Sequence, residues 1–337
     1  MMRNRFRGLY KGAPRLRRLS RRLKNSVAAS AASFAFGAVG RLSLEQALRL
    51  GERTGALLYR IRRRPRRLAL EALQVAFGDQ LTPTGREHLA RASFINIARS
   101  FCELAKLDEI RRRRDEYFEV DGWEHAHAML AGGKGAVLIT GQIGNWELLG
   151  AFFAWHGFPL AAIVRRIFDE RVNQLLVDFR SRQGVETIAS ESPHAARQIL
   201  GALQRNALLA MVIDRDSHTP SVSAPFFGRL ARTPAAAASL AIRRQLPVAA
   251  VFIQRRGQGG HRITVCPPFT IEHSDDTPAD IAALTRQFNA ALEVQIRKNP
   301  AEWAWWQRRW RREPLPHLEL GRDFQYTPKD AVVRRRG

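Results

Sequence analysis

Between residues 136 and 253, short apolar runs of strand length alternate with amphipathic stretches of helix length, and no other feature of the sequence restricts the fold as much. Residues 136–140, 160–164, 207–213 and 248–253 read as strands, and 147–155, 171–182, 193–204 and 234–244 as helices. The last two helices follow Ser192-Pro193 and Thr233-Pro234, each a capping hydroxyl before a proline suited to a first helical turn. Such alternation predicts an α/β fold, a mixed sheet containing parallel pairs with helices on both faces. Residues 261–267 add one more strand and 279–297 a long closing helix. In such a sheet the polar strand ends are the place to look for chemistry.

Helices also precede the alternating region. Ser43-Leu-Glu-Gln46 has the pattern of a capping box, and Leu44, Ala47, Leu48, Gly51, Gly55, Leu58 and Ile61 then follow at helical steps, which predicts an amphipathic helix. Thr82-Pro83 starts a second, with Leu89, Phe94, Ile97 and Phe101 on its apolar side, running towards Leu107. A chain of 337 residues exceeds the common single-domain length, but one α/β core with helical additions accommodates it. The expected organisation is a basic, membrane-associating segment over 1–40, a main domain over 41–315 and a C-terminal tail over 316–337.

Lys and Arg number 55 against 31 Asp and Glu, a net charge of +24, so the surface seeks polyanions: nucleic acid, an anionic bilayer or an acidic carrier protein. The first 25 residues hold ten basic side chains and no acid, and lead into a small-residue apolar run over 26–39. That run falls short of the about 20 apolar residues a membrane span needs. A secretory signal has a similar pattern, and so has a solvated tail. The further cluster Arg60-Ile-Arg-Arg-Arg-Pro-Arg-Arg67 favours a basic, partly amphipathic N-terminus on the cytoplasmic leaflet, peripheral or N-terminally anchored. The two cysteines, Cys102 and Cys266, lie far apart, so neither a disulfide framework nor a zinc site is expected.

At 137–150 a strand runs through a loop into a helix, VLITGQIGNWELLG. Gly141 and Gly144 bracket Gln142 and permit a sharp turn, and amides at the start of the next helix are suited to stabilising an oxyanion. This block follows LSLEQALRLGERTGALLYRIRRR and RLALEALQVAFGD, and precedes MVIDRD, SAPFFGRLARTPAAAASLAIRRQLPVAAVFI and NPAEWAWWQRRWRREP. In that order and spacing, over roughly residues 40–312, the sequence resembles the late acyltransferases of lipid A biosynthesis. These are the lauroyl and myristoyl transferases of the lysophospholipid acyltransferase superfamily. The resemblance implies a glycerol-phosphate-acyltransferase-like fold with N-terminal amphipathic helices that touch the membrane.

The family's catalytic block usually reads His-Phe-Gly-Asn-Trp-Glu. Its acid fixes the imidazole, which takes the proton of an acceptor hydroxyl so that the oxygen attacks an acyl thioester. By motif, Glu147 matches the acid, and Gln142 stands at the His position. A carboxamide orients a hydroxyl by hydrogen bonds without accepting its proton. General-base assistance of about 10²–10⁴ in rate, or roughly 3–5 kcal/mol, is thereby removed. Three readings follow: a silent or regulatory relative, an enzyme whose base comes from elsewhere, and a slow enzyme relying on proximity and thioester polarisation. His125 and His127 fall in the helix before the strand and His156 at the far end of the next, none beside Gln142. His218, Asp214 and Glu147 itself remain as alternative bases.

The resemblance also implies roles further along. Arg165, ending a strand beside Arg166, would pair with an acceptor phosphate or a developing charge, surface solvation being the alternative. Asn145 joins the substrate-binding set. Asp214 positions the acceptor or holds structure, and a metal pair with Asp216 is not expected because the family needs no metal. Phe226, Phe227 and Gly228 line an acyl channel, although core packing would use the same residues. Four of the seven tryptophans, Trp303, Trp305, Trp306 and Trp310, interleave with Arg308, Arg309, Arg311 and Arg312. That suits single-stranded nucleic acid and a bilayer interface equally. Gln307 stands where the family often has His. No helix-turn-helix, zinc or RNP-like pattern supports specific nucleic-acid binding.

The expected activity is transfer of a fatty acyl chain from acyl carrier protein or acyl-CoA to a hydroxyl of a lipid A precursor or related glycolipid. It would take place at the cytoplasmic face of the cell inner membrane, without a cofactor. The partners are anionic inner-membrane lipid, acyl carrier protein and the glycolipid acceptor. A catalytically silent lipid-binding or regulatory member is the alternative.

Overall fold

The computed structural model describes residues 36–310 apart from 168, 169, 217, 218, 258 and 272. Most of the expected N-terminal segment, the C-terminal tail and His218 therefore lie outside the described residues. The elements in chain order are α1 (Leu44–Ile61), α2 (Arg63–Phe77), α3 (Pro83–Leu104), α4 (Leu107–Arg112), α5 (Arg114–Tyr117), β1 (Phe118–Asp121) and α6 (Trp123–Leu130). There follow β2 (Ala136–Thr140), α7 (Trp146–Trp155), β3 (Leu160–Val164), α8 (Glu170–Arg182), β4 (Val185–Ala189), α9 (Ala195–Gln204) and β5 (Leu208–Val212). The rest are β6 (Ser221–Phe226), β7 (Arg229–Pro234), α10 (Ala236–Arg244), β8 (Val248–Arg255), β9 (His261–Val265) and α11 (Thr277–Lys298).

Seven strands form one mixed sheet in the order β1-β9-β8-β2-β5-β3-β4, while β6 and β7 make a separate antiparallel hairpin. β8, β2, β5, β3 and β4 run parallel, β9 runs against β8, and β1 runs alongside β9. Side chains alternate between two cores. Val137, Ile139, Leu209, Met211, Val248 and Phe252 join the core that includes α9, α10 and α11. Leu138, Leu208, Ala249, Val251 and Ile253 join the one that includes α6 and α7. Helices on both faces are the reason these strands read as unbroken apolar runs.

The edge strands β1 and β4 escape the alternation pattern because an edge needs no such run; β4 is Val-Glu-Thr-Ile-Ala. The hairpin corrects a second expectation. Thr233 and Pro234 end β7, and α10 starts at Ala236 with no side-chain cap. Likewise α9 starts at Ala195, and Ser192 Oγ accepts only the His194 amide.

The capping box at Ser43 and Gln46 forms as expected. Gly51 and Gly55 let α1 lie directly on α3, since a Cβ on either would press on the α3 backbone at Arg99 or Ile95. The buried face of α1 then passes to Tyr59, leaving Leu58 partly exposed and Ile61 59% exposed. Two steps of three residues from Gly55 rotate about 120° off the face, which corrects the placement of Ile61. Phe101 of α3 is likewise 61% exposed, because the last turns of α3 bury Ser100 and Glu103 instead. Among the described residues no helix is long and apolar enough to cross a membrane. No group of three or more His, Cys, Asp and Glu among them is placed to hold a metal.

Candidate active site

Gln142 lies two residues beyond β2, Asp214 two beyond β5 and Arg165 one beyond β3. Because β2, β5 and β3 are parallel neighbours, the three emerge at one edge of the sheet in the order Gln142, Asp214, Arg165. From β2 the chain goes to β3 and β4 on one side and later to β8 on the other. Such a reversal at the carboxyl ends of parallel strands is where open α/β sheets form a ligand crevice.

The loop is built around Asp214. Its Oδ2 accepts the Gln142 backbone N–H at 2.6 Å and the Trp303 indole N–H at 2.7 Å. The segment around Trp303 runs antiparallel along the loop. Gly144 N–H donates to Glu302 O at 3.0 Å, Ala304 N–H donates to Gln142 O at 3.3 Å, and Ile143 bridges to Trp303. Ser93 of α3 donates its hydroxyl to Trp303 O at 2.6 Å. Gly144 has φ +59°, and a Cβ there would overlap the Ile253 carbonyl, so only glycine fits this turn. Burial outweighs the hydrogen bonds on Asp214 and raises its carboxyl above the usual range. Asp214 Oδ1 and Gln142 Oε1 are both buried with no hydrogen-bond partner among the described residues. Unpaired buried acceptors are costly in a fold, and two at neighbouring strand ends are suited to receiving a hydroxyl.

Asn145 is the N-cap of α7, its Oδ1 accepting the Leu148 amide at 3.2 Å. Its Nδ2 donates to Ser100 O at 3.2 Å and Glu103 Oε2 at 2.9 Å. Asn145, expected among the substrate contacts, has both ends of its amide committed inside the protein and so scaffolds the loop. Glu103 is the centre of that scaffold. It accepts Arg255 Nη1 at 2.5 Å and Nη2 at 2.8 Å, and the Tyr117 hydroxyl at 2.9 Å, and faces His261 Nε2 at 2.9 Å. Burial opposes the Glu103 charge, but pairing with His261 and Arg255 outweighs it and holds the carboxyl well below the usual range. Burial pushes the His261 imidazole down, against the opposing pull of the Glu103 carboxylate that its Nε2 faces.

Sequence reasoning missed this network. Its one trace is the set Ser93, Ser100 and Glu103, polar residues at seven- and three-residue steps on the buried side of α3.

Glu302 ties the network to the loop. Its carboxyl accepts the Arg255 amide at 2.9 and 3.1 Å and the Asn299 side chain at 3.0 Å, while its own carbonyl holds Gly144. Burial raises this carboxyl from an ordinary 4.5 to about 7. Between those values the folded protein keeps a proton that the unfolded chain has released, so the contribution is complete below pH 4.5 and is lost as pH rises through 7. A shift of that size corresponds to about 3 kcal/mol. Glu302→Gln keeps an acceptor carbonyl and removes the titration. The thermal midpoint of the native chain relative to the variant should therefore fall by several degrees from pH 4.5 to 7.5. A difference that stays constant over that range would mean that Glu302 is ionised in the folded protein throughout.

Both oxygens of Glu147 are taken by Arg180 of α8, at 2.8 and 2.6 Å, in a largely buried bidentate pair. Arg165 pairs with Glu191 at 2.9 Å while 57% of its side chain stays exposed, and Arg166 pairs with Glu170. His156 Nδ1 meets Phe152 O, and His127 packs on Trp123 and Phe158, so neither is part of the loop.

Phe226 and Phe227 are buried where β6 turns into β7, with Phe227 and Gly228 at φ +51° and +71°. Phe226 packs edge-on to Trp303, and Phe227 packs on Phe77 and Trp305. The aromatic pair thus reaches the loop through Trp303. Among the described residues of the Trp-Arg segment, Arg308 is exposed and Trp306 and Trp310 are partly buried, whereas the other three are not at the surface expected for nucleic acid or a bilayer. Trp303, Trp305 and Arg309 are buried, and the Arg309 guanidinium donates to Arg232 O, Thr233 Oγ1 and Asn289 Oδ1 while lying 4.8 Å over the Phe226 ring. Partners for the two indole N–H groups and for Nη1 and Nη2 of Arg309 offset most of the cost of that burial, although Arg309 Nε has no partner among the described residues.

A family model described as bacterial lipid A biosynthesis acyltransferase matches residues 17–312. A phosphatidylinositol mannoside acyltransferase of Mycolicibacterium smegmatis is 27% identical over 229 residues, which is 66% of this chain and 73% of that protein. A protein of the same name from Mycobacterium tuberculosis is 27% identical over 224 residues, 65% of this chain and 69% of its own length.

Proposed function

The chain belongs to the bacterial lipid A biosynthesis acyltransferase family and is an acyltransferase of that family; on that premise we propose that it acylates a hydroxyl of a lipid A precursor or related glycolipid. The donor in this proposal is acyl carrier protein or acyl-CoA, and the setting is the cytoplasmic face of the inner membrane. Similar proteins named for phosphatidylinositol mannoside support a glycolipid acceptor.

The observation that carries the mechanism is the pair of unpartnered acceptors, Gln142 Oε1 and Asp214 Oδ1. Gln142 is only partly buried, and in this proposal rotation of its side chain gives the hydroxyl access to the buried Asp214. The carboxamide then orients the hydroxyl, and Asp214, made more basic by burial, takes its proton. The hydroxyl oxygen attacks the thioester carbonyl carbon. The carbon–sulfur bond breaks as the carbonyl re-forms, and the proton on Asp214 passes to the departing thiolate. Arg180 holds Glu147 as an ion pair that steadies the first turn of α7.

A silent lipid-binding member is the second reading, favoured by the carboxamide at position 142. Purified protein offered acyl carrier protein and acyl-CoA thioesters, with lipid A precursor, phosphatidylinositol mannoside and a lysophospholipid as acceptors, separates the two. Acylated glycolipid is the expected product. Glycolipid binding without acylation from any donor and acceptor pair would replace this reading with the silent one.

A further inference from the structure

Where α1 gives way to α2, a groove is lined by Arg60, Arg63, Arg66, Arg67 and Leu70. Four guanidiniums share it, and the protein gives them little in return. Arg67 meets Glu71 at 3.4 Å in an exposed pair, and the Arg66 guanidinium lies 5.4 Å over the Tyr59 ring. Among the described residues no carboxylate pairs with Arg60 or Arg63. The groove also sits at the start of α2, whose first turn carries no acid, so the helix dipole adds to the positive potential. Like charges gathered in this way cost stability until an anion joins them.

Beside the groove the surface turns aliphatic. Leu50, Leu57 and Ile61, at steps of seven and four on the outer side of α1, are exposed, Leu57 by 55%. Arg60 belongs to both features, lining the groove and standing next to Ile61 and one turn from Leu57. Single exposed leucines need no explanation. Three aligned on one helix and bordered by Arg49, Arg53 and Arg60 form the face of an interfacial helix.

We propose that this surface docks on a bilayer of anionic phospholipid, with lipid phosphates in the arginine groove and Leu50, Leu57 and Ile61 below the headgroups. Free phosphate would use the groove but not the aliphatic row, and nucleic acid has no use for that row either. From the groove, α2 runs about 22 Å to Phe77, which packs on Phe227 and Trp305. Docking there thus sets the aromatic cluster at a fixed height above the lipid surface.

The test is co-sedimentation of the full chain with vesicles of phosphatidylglycerol and phosphatidylcholine. The variants are Arg60→Glu/Arg63→Glu, Leu57→Ser/Ile61→Ser and, as a control of equal charge change, Arg111→Glu/Arg112→Glu on α4. All six side chains are exposed, and unchanged thermal midpoints confirm folding. The groove pair should weaken binding about 30-fold or more, and the serine pair about tenfold at any salt concentration. The control pair should change it less than about threefold, because screening limits the reach of distant charges. Equal losses in groove and control variants would overturn the proposal, as would full binding by the serine pair. Loss of acyl carrier protein binding by the groove pair, with vesicle binding kept, would reassign the surface to an acidic protein. No substrate is present, so the outcome is independent of whether the protein turns over.

Discussion

Glu103→Ala is expected to destabilise the protein by about 3–5 kcal/mol, because it strands the buried Arg255 guanidinium without its carboxylate. The Tyr117 hydroxyl, the His261 ring and the Asn145 amide lose an acceptor in the same step. Chemical denaturation of the two proteins measures the difference. Glu103→Gln separates charge from shape, since the amide keeps one acceptor but cannot neutralise Arg255, and it should lose nearly as much. Replacing both partners, as Glu103→Leu with Arg255→Met, should restore only the part lost with the stranded Arg255 charge, because apolar groups often equal a buried ion pair but Tyr117, His261 and Asn145 still lack their acceptor. Transfer activity should stay low in that double variant, since Asn145 has lost the group that fixes the loop. Stability and activity recovering together would mean that the network serves the fold alone.

Asp214→Asn is expected to lower turnover by about 10²–10⁴ while the thermal midpoint stays close to that of the native chain. Asparagine presents a carbonyl oxygen to the Gln142 amide and the Trp303 indole, the two donors that Asp214 Oδ2 now accepts. It is also neutral, so the burial that raises the Asp214 carboxyl no longer costs anything. What it cannot do is take a proton. The loss should fall on kcat with KM little changed, as for a group that acts in the transition state. An Asp214→Asn protein with the native rate would leave Asp214 as a loop anchor only.

The sheet was legible because its central strands are covered on both sides and so appear as unbroken apolar runs. β2 and β3 match the residues expected of them, whereas the edge strand β4 carries Glu186 and Thr187 and gives no such run. The candidate loop was legible through its motif, and the parallel order of β2, β5 and β3 brings Gln142, Asp214 and Arg165 to one edge. The network around Glu103 was not. Its members come from α3, α5, β8, β9 and the loop, and no local pattern announces that Glu103 and Arg255, 152 residues apart, form a buried pair. Composition misled at Trp303, Trp305 and Arg309, where aromatic and cationic side chains are buried inside the protein rather than set at its surface.

Position 142 carries the central claim, that proton transfer does not depend on a histidine there. The direct measurement is the rate of acyl transfer by the native chain beside Gln142→His under identical conditions. Native turnover within about tenfold of the variant is expected, because Asp214 supplies the base in both. No turnover by the native chain, with activity appearing only in Gln142→His, would contradict that claim and leave this protein a silenced acyltransferase.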